Sequence, residues 1–423
     1  MPRYKLVACC LLASAAGAMT RVRQDPGPLE PGRVRVQLTS LGSPSRVRLL
    51  PSEGSETIAD GTKLDGYGPG RPIELSADGD RVRLGDRSVE RAVVSGTLQE
   101  VLIERLRRLY PGSVAVTARA GRLQFQNECS LEEYVTGVLA RECPASFHTE
   151  AQKALAIAAR SYSYRKAYLS KQPLCDTVHC QAYEGLTRIP AVIADSVRET
   201  SGLCAWYDGQ PIDAVYSADC GGYREANEDA WPGTRPIAYL RGGPDAPSPG
   251  ATPFCDRGPK GLWNIRVPRS RLLTLVGKAL AVPTVEILDI TPGGAARRVR
   301  ITSAGLAPMD LAPGVAPPAE VGMPSLFKLF RGDEWRRAIG ASQLKSLKFQ
   351  VKLVPDGVEI QGRGNGHGVG LCQFGAEGMA RAGVSCEGIL KHYFNGIELA
   401  PAFSPGAAPV PAASPGADPS PPP

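Results

Sequence analysis

The hydrophobic period of the chain changes at Ser130, and that change restricts it to folds that combine sheets with packed helices. Upstream, Val34 to Leu38 alternates apolar and polar residues, Val47 to Leu50 does so more briefly, and the stretches at 81–84 and 113–117 follow suit. These segments predict strands in a β-rich N-terminal part over 33–125. Downstream, SLEEYVTGVLARE opens with Ser130 and places Glu133 three residues later, the signature of a capping box. Leu131, Tyr134, Val135 and Val138 then fall on one helical face. Pro144 disfavours helical geometry at Cys143, so this helix ends at about Arg141 or Glu142. HTEAQKALAIAARSYSYRKAYL predicts a second helix from about Thr149 to Leu169, whose alanines permit close packing.

Later segments are mixed. Ala191 to Glu199 reads as a helix, and Cys204 to Tyr207 with Pro211 to Ser217 reads as a hairpin about Asp208-Gly209. Strands are expected in 280–303 and 346–360, and helices at 371–382 and 385–393 after a glycine-rich loop. The predicted class is α+β, with helices packed on largely antiparallel sheets, and 126–400 forms the part that carries the chemistry.

At 423 residues and 43% hydrophobic, the chain can bury a sizeable core. The formal charge of +7 is spread rather than blocked, which describes a solvated surface and is compatible with weak attraction to anionic cell-envelope polymers. Zinc-finger spacing, a basic helix and an aromatic stacking motif are all missing, so nucleic acid is not an expected partner. Apolar runs are too short to span a bilayer. Residues 1–19 instead combine basic Arg3 and Lys5, an apolar stretch from Leu6 to Leu12 and small residues through Ala18, the pattern of a secretory signal. Leu6-Val7-Ala8-Cys9 resembles a shortened lipobox, so membrane contact is expected only through an N-terminal anchor. Residues 20–32 read as a linker, and the Pro/Ala-rich segment 401–423 cannot pack a core.

Four segments can carry chemistry. Glu142 stands at a helix end beside a proline-fixed turn, where partial burial would raise its affinity for a proton and suit it to general acid work. Lys153 and Arg160 lie seven residues apart on the second helix and project from nearly the same face, either towards that acid or into solvent. CDTVHC supplies Cys175, His179 and Cys180, and Cys220 in ADCGG is the best fourth ligand for a structural zinc. Disulfides compete with that reading, although the nine cysteines beyond Cys9 and Cys10 are an odd set that leaves at least one thiol unpaired, buried or bound to metal. The glycine-rich loop GRGNGHGVG lacks the features of a phosphate or dinucleotide site, so its glycines are expected to permit positive φ around His367. His367 either contacts a ligand, supports Glu142 or is simply hydrogen-bonded in a tight loop. Tyr216 and Ser217 precede Cys220, and no nearby histidine and acid complete a nucleophile.

LEEYVTGVLARECPASFHTEAQKALAIAARSYSYRKAY resembles the signature helix pair of the SpoIID/LytB family of bacterial cell-wall proteins. CDTVHCQAY, AVYSADCGGYREANEDAW, AYLR and GRGNGHGVGLCQFGAEGMARAGVSCEGILKHYFNGIEL follow in the family's order. The resemblance implies an exported, envelope-facing lytic transglycosylase that cuts the β-1,4 bond between N-acetylmuramic acid and N-acetylglucosamine in glycan strands, leaving 1,6-anhydro ends. It implies Glu142 as the single acid and base, Lys153 and Arg160 as contacts to substrate or developing charge, and Tyr216, Ser217, Tyr239 and His367 along the glycan cleft. No cofactor is implied for the chemistry, and some members bind zinc near the CDTVHC segment. LytB-type relatives enhance a cell-wall amidase, so a glycan-binding modifier is the second implied function. Cys143 stands where the family commonly has Met, Cys372 where it has Ser, and Asn365 and Phe374 where it has Trp, which removes indoles available for stacking on sugar.

Overall fold

The computed structural model describes residues 29–103, 106–276, 283–303 and 326–402. The expected signal at 1–19 lies outside them, as do most of the 20–32 linker and nearly all of the 401–423 tail.

Alternation builds one large antiparallel sheet from the N-terminal half. In Arg33–Gln37 and Arg46–Pro51, Val34, Val36, Val47 and Leu49 are buried while the intervening arginines lie nearer solvent. The long strands Arg91–Ile103 and Leu106–Arg119 pair with each other, and Arg122–Ser130 continues the ladder. Arg33–Gln37 closes on Arg122–Ser130 with Val36 opposite Asn127, and takes Leu174–Cys175 as a parallel outer neighbour. The sheet thus extends past residue 125 and hands the chain directly to helix α1 (Leu131–Glu142).

Ser130 caps α1 as expected. Its hydroxyl accepts the Glu133 N–H at 3.2 Å, and the Glu133 carboxylate accepts the Ser130 N–H at 2.9 Å, an arrangement that stabilises a helix start by about 1 kcal/mol. Leu131, Tyr134, Val135 and Val138 are all buried. After a short turn the chain doubles back as α2 (Thr149–Tyr164), and a π-helical turn over Arg165–Leu169 completes the predicted length. The small side chains of α2 let α1, α3 (Ala191–Glu199) and the helices Gln373–Arg381 and Cys386–Tyr393 close around it. Gly137 shows how tight this packing is: a Cβ there would lie 2.5 Å from the Gly185 carbonyl and 2.6 Å from the Tyr183 ring.

Asp208-Gly209 forms the predicted turn, with φ of 49° and 68°. Its second arm is only Gln210–Pro211, however, because Pro211 has no N–H to extend the ladder. Tyr216–Ser217 instead runs parallel to Leu371–Cys372, Tyr216 opposite Leu371 and Ser217 opposite Cys372.

One hydrophobic core runs from Val34 in the first strand through α1 and α2 to Ala402, so the N-terminal sheet and the helices share it. A second core is centred on the fully buried Trp335 and draws on residues between Trp263 and Ile360. It packs Leu262–Pro268, Gly357–Arg363 and Phe349–Val354 as one sheet and Pro283–Ile290, Ala296–Ser303 and Leu326–Arg331 as another. The architecture is α+β. Among the described residues no helix is long and apolar enough to cross a membrane.

Candidate active site

Glu142 is the last residue of α1. Cys143 turns to extended backbone (φ −120°, ψ 123°) and its N–H closes the helix on the Leu139 carbonyl at 2.9 Å. The helix stop therefore fixes where the Glu142 carboxylate points. Its Oε1 accepts the Ala182 N–H at 2.8 Å, and its Oε2 lies 3.4 Å from the Gln373 amide nitrogen, a long hydrogen bond. Burial raises its pKa above the ordinary carboxylate range, opposed by these two donors and by the charge of Arg141. The group is thus biased towards the acid form while keeping donors that can hold the anion.

The Ala182 amide is itself held firmly. Tyr183 is fully buried against Tyr134, with ring centroids 4.9 Å apart, and donates its hydroxyl to Asn127 Oδ1 at 2.8 Å. Glu184 accepts from Arg108 at 2.9 Å and pairs with Arg141 at 3.3 Å. This short segment brings the large sheet, α1 and the acid into register.

Tyr216 comes to the same place. Its hydroxyl is buried with no hydrogen bond, and its ionisation is suppressed by burial and then by the nearby Glu142 charge. Gln181 is also close to this hydroxyl, though outside hydrogen-bond geometry. Gly364, Gly366, Gly368 and Gly370 all have positive φ, as expected of a loop that must fold tightly around His367. His367 Nδ1 accepts the Val369 N–H at 3.0 Å, which leaves Nε2 to donate to the Tyr216 carbonyl at 3.0 Å. Burial pushes its pKa down to about 4, so it is a neutral donor. His367 positions Tyr216. Trp231 packs against the imidazole with centroids 5.0 Å apart and is only partly buried.

The two cations do not converge on Glu142. Because α1 and α2 form an antiparallel hairpin, Arg160 lies about 16 Å along α2 from its start and faces the beginning of α1. It is fully buried and grips Glu132 through Nε at 2.8 Å and Nη2 at 2.7 Å, with the Leu203 carbonyl at 3.1 Å. Lys153 bonds Glu199 of α3 at 2.7 Å and Glu150 at 3.2 Å. Both hold helices together. Tyr239 is likewise buried, its hydroxyl accepting the Asp213 N–H at 3.0 Å, and so braces the approach to Tyr216 instead of lining an open wall. The Ser217 hydroxyl is buried without a partner. Phe374 packs on Phe147 at 5.4 Å and beneath the Arg257 guanidinium at 3.8 Å.

The four expected zinc ligands divide between two places. Cys175 Sγ and Cys180 Sγ lie 3.5 and 3.6 Å from His179 Nδ1, close enough to share one ion. The Cys175 thiol is pulled down to about 4, chiefly by a hydrogen bond from Cys180, which favours a thiolate. Cys220 is not with them. It is buried with Asp245, Cys255 and Cys372, since the loop after Tyr216–Ser217 turns inward beside Leu371–Cys372. Gln373, the Ala182 amide and Trp231 were not singled out by the sequence: a main-chain donor leaves no residue signature, and Gln373 gains its role only when Leu371–Cys372 pairs with Tyr216–Ser217.

Fold and site together define an α+β protein with a desolvated carboxyl group at the end of its first helix, held by a main-chain amide and a glutamine. Residues 119–207 match the family model described as Stage II sporulation protein (SpoIID). Stage II sporulation protein D of Bacillus subtilis (strain 168) is 28% identical over 311 residues, 69% of this chain and 80% of that protein. The protein of the same name from Bacillus amyloliquefaciens is 28% identical over 293 residues, 65% of this chain and 75% of its own length. An amidase enhancer of Bacillus subtilis (strain 168) is 30% identical over 285 residues, 62% of this chain but 40% of that longer protein.

Proposed function

We propose that the protein is an exported peptidoglycan lytic transglycosylase, with Glu142 as its general acid and base. The observation that carries this reading is the environment of Glu142: a carboxyl group at a helix end, made protonatable by burial and held by the Ala182 amide and Gln373. Glycoside hydrolases usually need a second carboxylate at a set distance to activate water or form a covalent intermediate. Internal transfer needs one. Glu142 gives its proton to the bridging oxygen as the bond from the muramic acid C1 breaks; the 6-hydroxyl of the same sugar then attacks C1, and the Glu142 carboxylate takes the hydroxyl proton. The Gln373 and Ala182 donors stabilise the anion between the two steps. Tyr216 stays neutral beside the reacting atoms, and Trp231 offers a partly open ring to a sugar face.

Zinc at Cys175, His179 and Cys180 would be structural in this scheme, since the proton transfers need no metal. A second reading, a glycan-binding enhancer of a cell-wall amidase, is favoured by the relative named as an amidase enhancer. Glycan strands stripped of stem peptides, incubated with purified protein and analysed by mass spectrometry, separate the readings. Anhydro-muramic ends that vanish in Glu142→Gln support transglycosylation. Reducing ends mean hydrolysis, retention without cleavage means binding, and full cutting by Glu142→Gln removes Glu142 from the mechanism.

A further inference from the structure

Behind the proposed active site, four side chains from three separated segments meet in a fully interior position. Cys220, Asp245, Cys255 and Cys372 are all buried, and their sulfur and carboxylate atoms lie within 4.8 Å of one another. Cys220 Sγ is 3.7 Å from Cys255 Sγ and 3.3 Å from Asp245 Oδ2. With metal–sulfur bonds of about 2.3 Å and metal–oxygen bonds of about 2.0 Å, a tetrahedral zinc site has S···S edges of about 3.8 Å and S···O edges of about 3.5 Å. These two edges match a tetrahedral site, the remaining ligand atoms lie within 4.8 Å, and the Cys220–Cys255 distance is far longer than the roughly 2.05 Å of a disulfide.

Backbone N–H groups converge on the sulfurs. The Cys220 N–H points at Cys372 Sγ at 3.2 Å, the Gly222 N–H at Cys255 Sγ at 3.2 Å and the Gly375 N–H at Cys372 Sγ at 3.3 Å. Such backbone donors offset the negative charge that metal-bound sulfur carries. Asp245 Oδ1 accepts the Tyr393 hydroxyl at 2.7 Å, with His392 Nε2 3.7 Å away, and this orients Oδ2 towards the sulfurs. A side chain at 375 would fill this cradle, its Cβ 2.6 Å from Asp245 Oδ2.

We propose that Cys220, Cys255, Cys372 and Asp245 bind one structural zinc ion, separate from the Cys175–His179–Cys180 group. Three soft sulfurs and one oxygen in a closed buried tetrahedron are a donor set for zinc rather than for magnesium or calcium. Its consequence for the active site is mechanical. Cys372 is adjacent to Gln373, which reaches Glu142, and Cys220 follows the strand that carries Tyr216. The ion ties both flanks of Glu142 to the segment 245–255.

The test counts metal. Full-length protein with Cys175→Ser and Cys180→Ser, purified with zinc, is expected to retain about one zinc per chain by inductively coupled plasma mass spectrometry; adding Cys255→Ser is expected to remove it. If Cys255→Ser does not fold, the unsubstituted protein gives the same decision through cysteine alkylation mapped by peptide mass spectrometry. Cys220, Cys255 and Cys372 are expected to be protected with zinc and alkylated after a strong chelator is added. Equal alkylation with and without chelator, no zinc in the doubly substituted protein, zinc retained after Cys255→Ser, or a Cys220–Cys255 disulfide each overturns the proposal. None of these readouts depends on glycan cleavage.

Discussion

At Glu142 the same burial that prepares an acid also costs stability. A carboxyl group whose pKa is raised on folding binds its proton more tightly in the native state than in the unfolded one. Stability from this group is therefore present at low pH and lost as pH rises through the raised pKa. Glu142→Gln keeps the shape without the charge. It is expected to abolish cleavage and to raise Tm by an amount that grows from acidic to alkaline pH, and thermal unfolding across that range checks the sign; an unchanged difference at every pH would contradict the desolvation argument. Gln373 acts the other way, because its amide stabilises the anion. Gln373→Ala is expected to move the alkaline limb of the pH–rate profile for glycan cleavage to higher pH, with kcat reduced because the anionic stage has lost a donor. His367→Gln should leave that limb in place, since the imidazole is neutral at working pH and holds only the Tyr216 carbonyl.

At the scale of elements, the helix pair and its cap could be read directly from Ser130, Glu133 and Pro144, because capping and proline geometry are local. The placement of Arg160 could not. Seven-residue spacing correctly put it on one face with Lys153, but which neighbour receives that face depends on the antiparallel turn at 143–148 and on where α3 docks. The cysteines show the same limit: CDTVHC is a local group, whereas Cys220 finds Cys255 and Cys372 through loops 35 and 152 residues away. Arg160 now carries a stability prediction. It joins α1, α2, the Leu203 segment and, through the Val197 carbonyl at 3.4 Å, α3. Arg160→Ala leaves buried carbonyls and Glu132 without their partner and is expected to lower unfolding free energy by about 3 kcal/mol. Lys153→Ala removes more exposed ion pairs and should cost less than about 1 kcal/mol. Urea denaturation of the two variants gives the comparison directly, and equal losses would mean that Arg160 is not the clamp described.

For the whole molecule, the extent of the folding unit follows from where the core runs. The family match covers 119–207, yet the strand that leads into α1 is paired on both sides by residues outside that window, Arg33–Gln37 and Ser113 to Ala118 among them. Val34, Val36, Val114 and Val116 sit in the same core as Tyr134, Val138 and Leu155. Removing the N-terminal sheet would expose this apolar face and break the ladder that delivers Ser130 to its cap. Burying an apolar side chain of this size contributes about 1.5–3 kcal/mol, so several such losses exceed the 5–15 kcal/mol by which domains are usually stable. A chain beginning at residue 126 is therefore expected to lack a cooperative thermal transition and to bind a hydrophobic dye, whereas a chain beginning at residue 29 should melt in the same way as the full protein. A sharp transition in the shorter chain would show that the helices hold the Glu142 site without the sheet. Its absence would mean that the acid, its Ala182 donor and the large sheet stand or fall together.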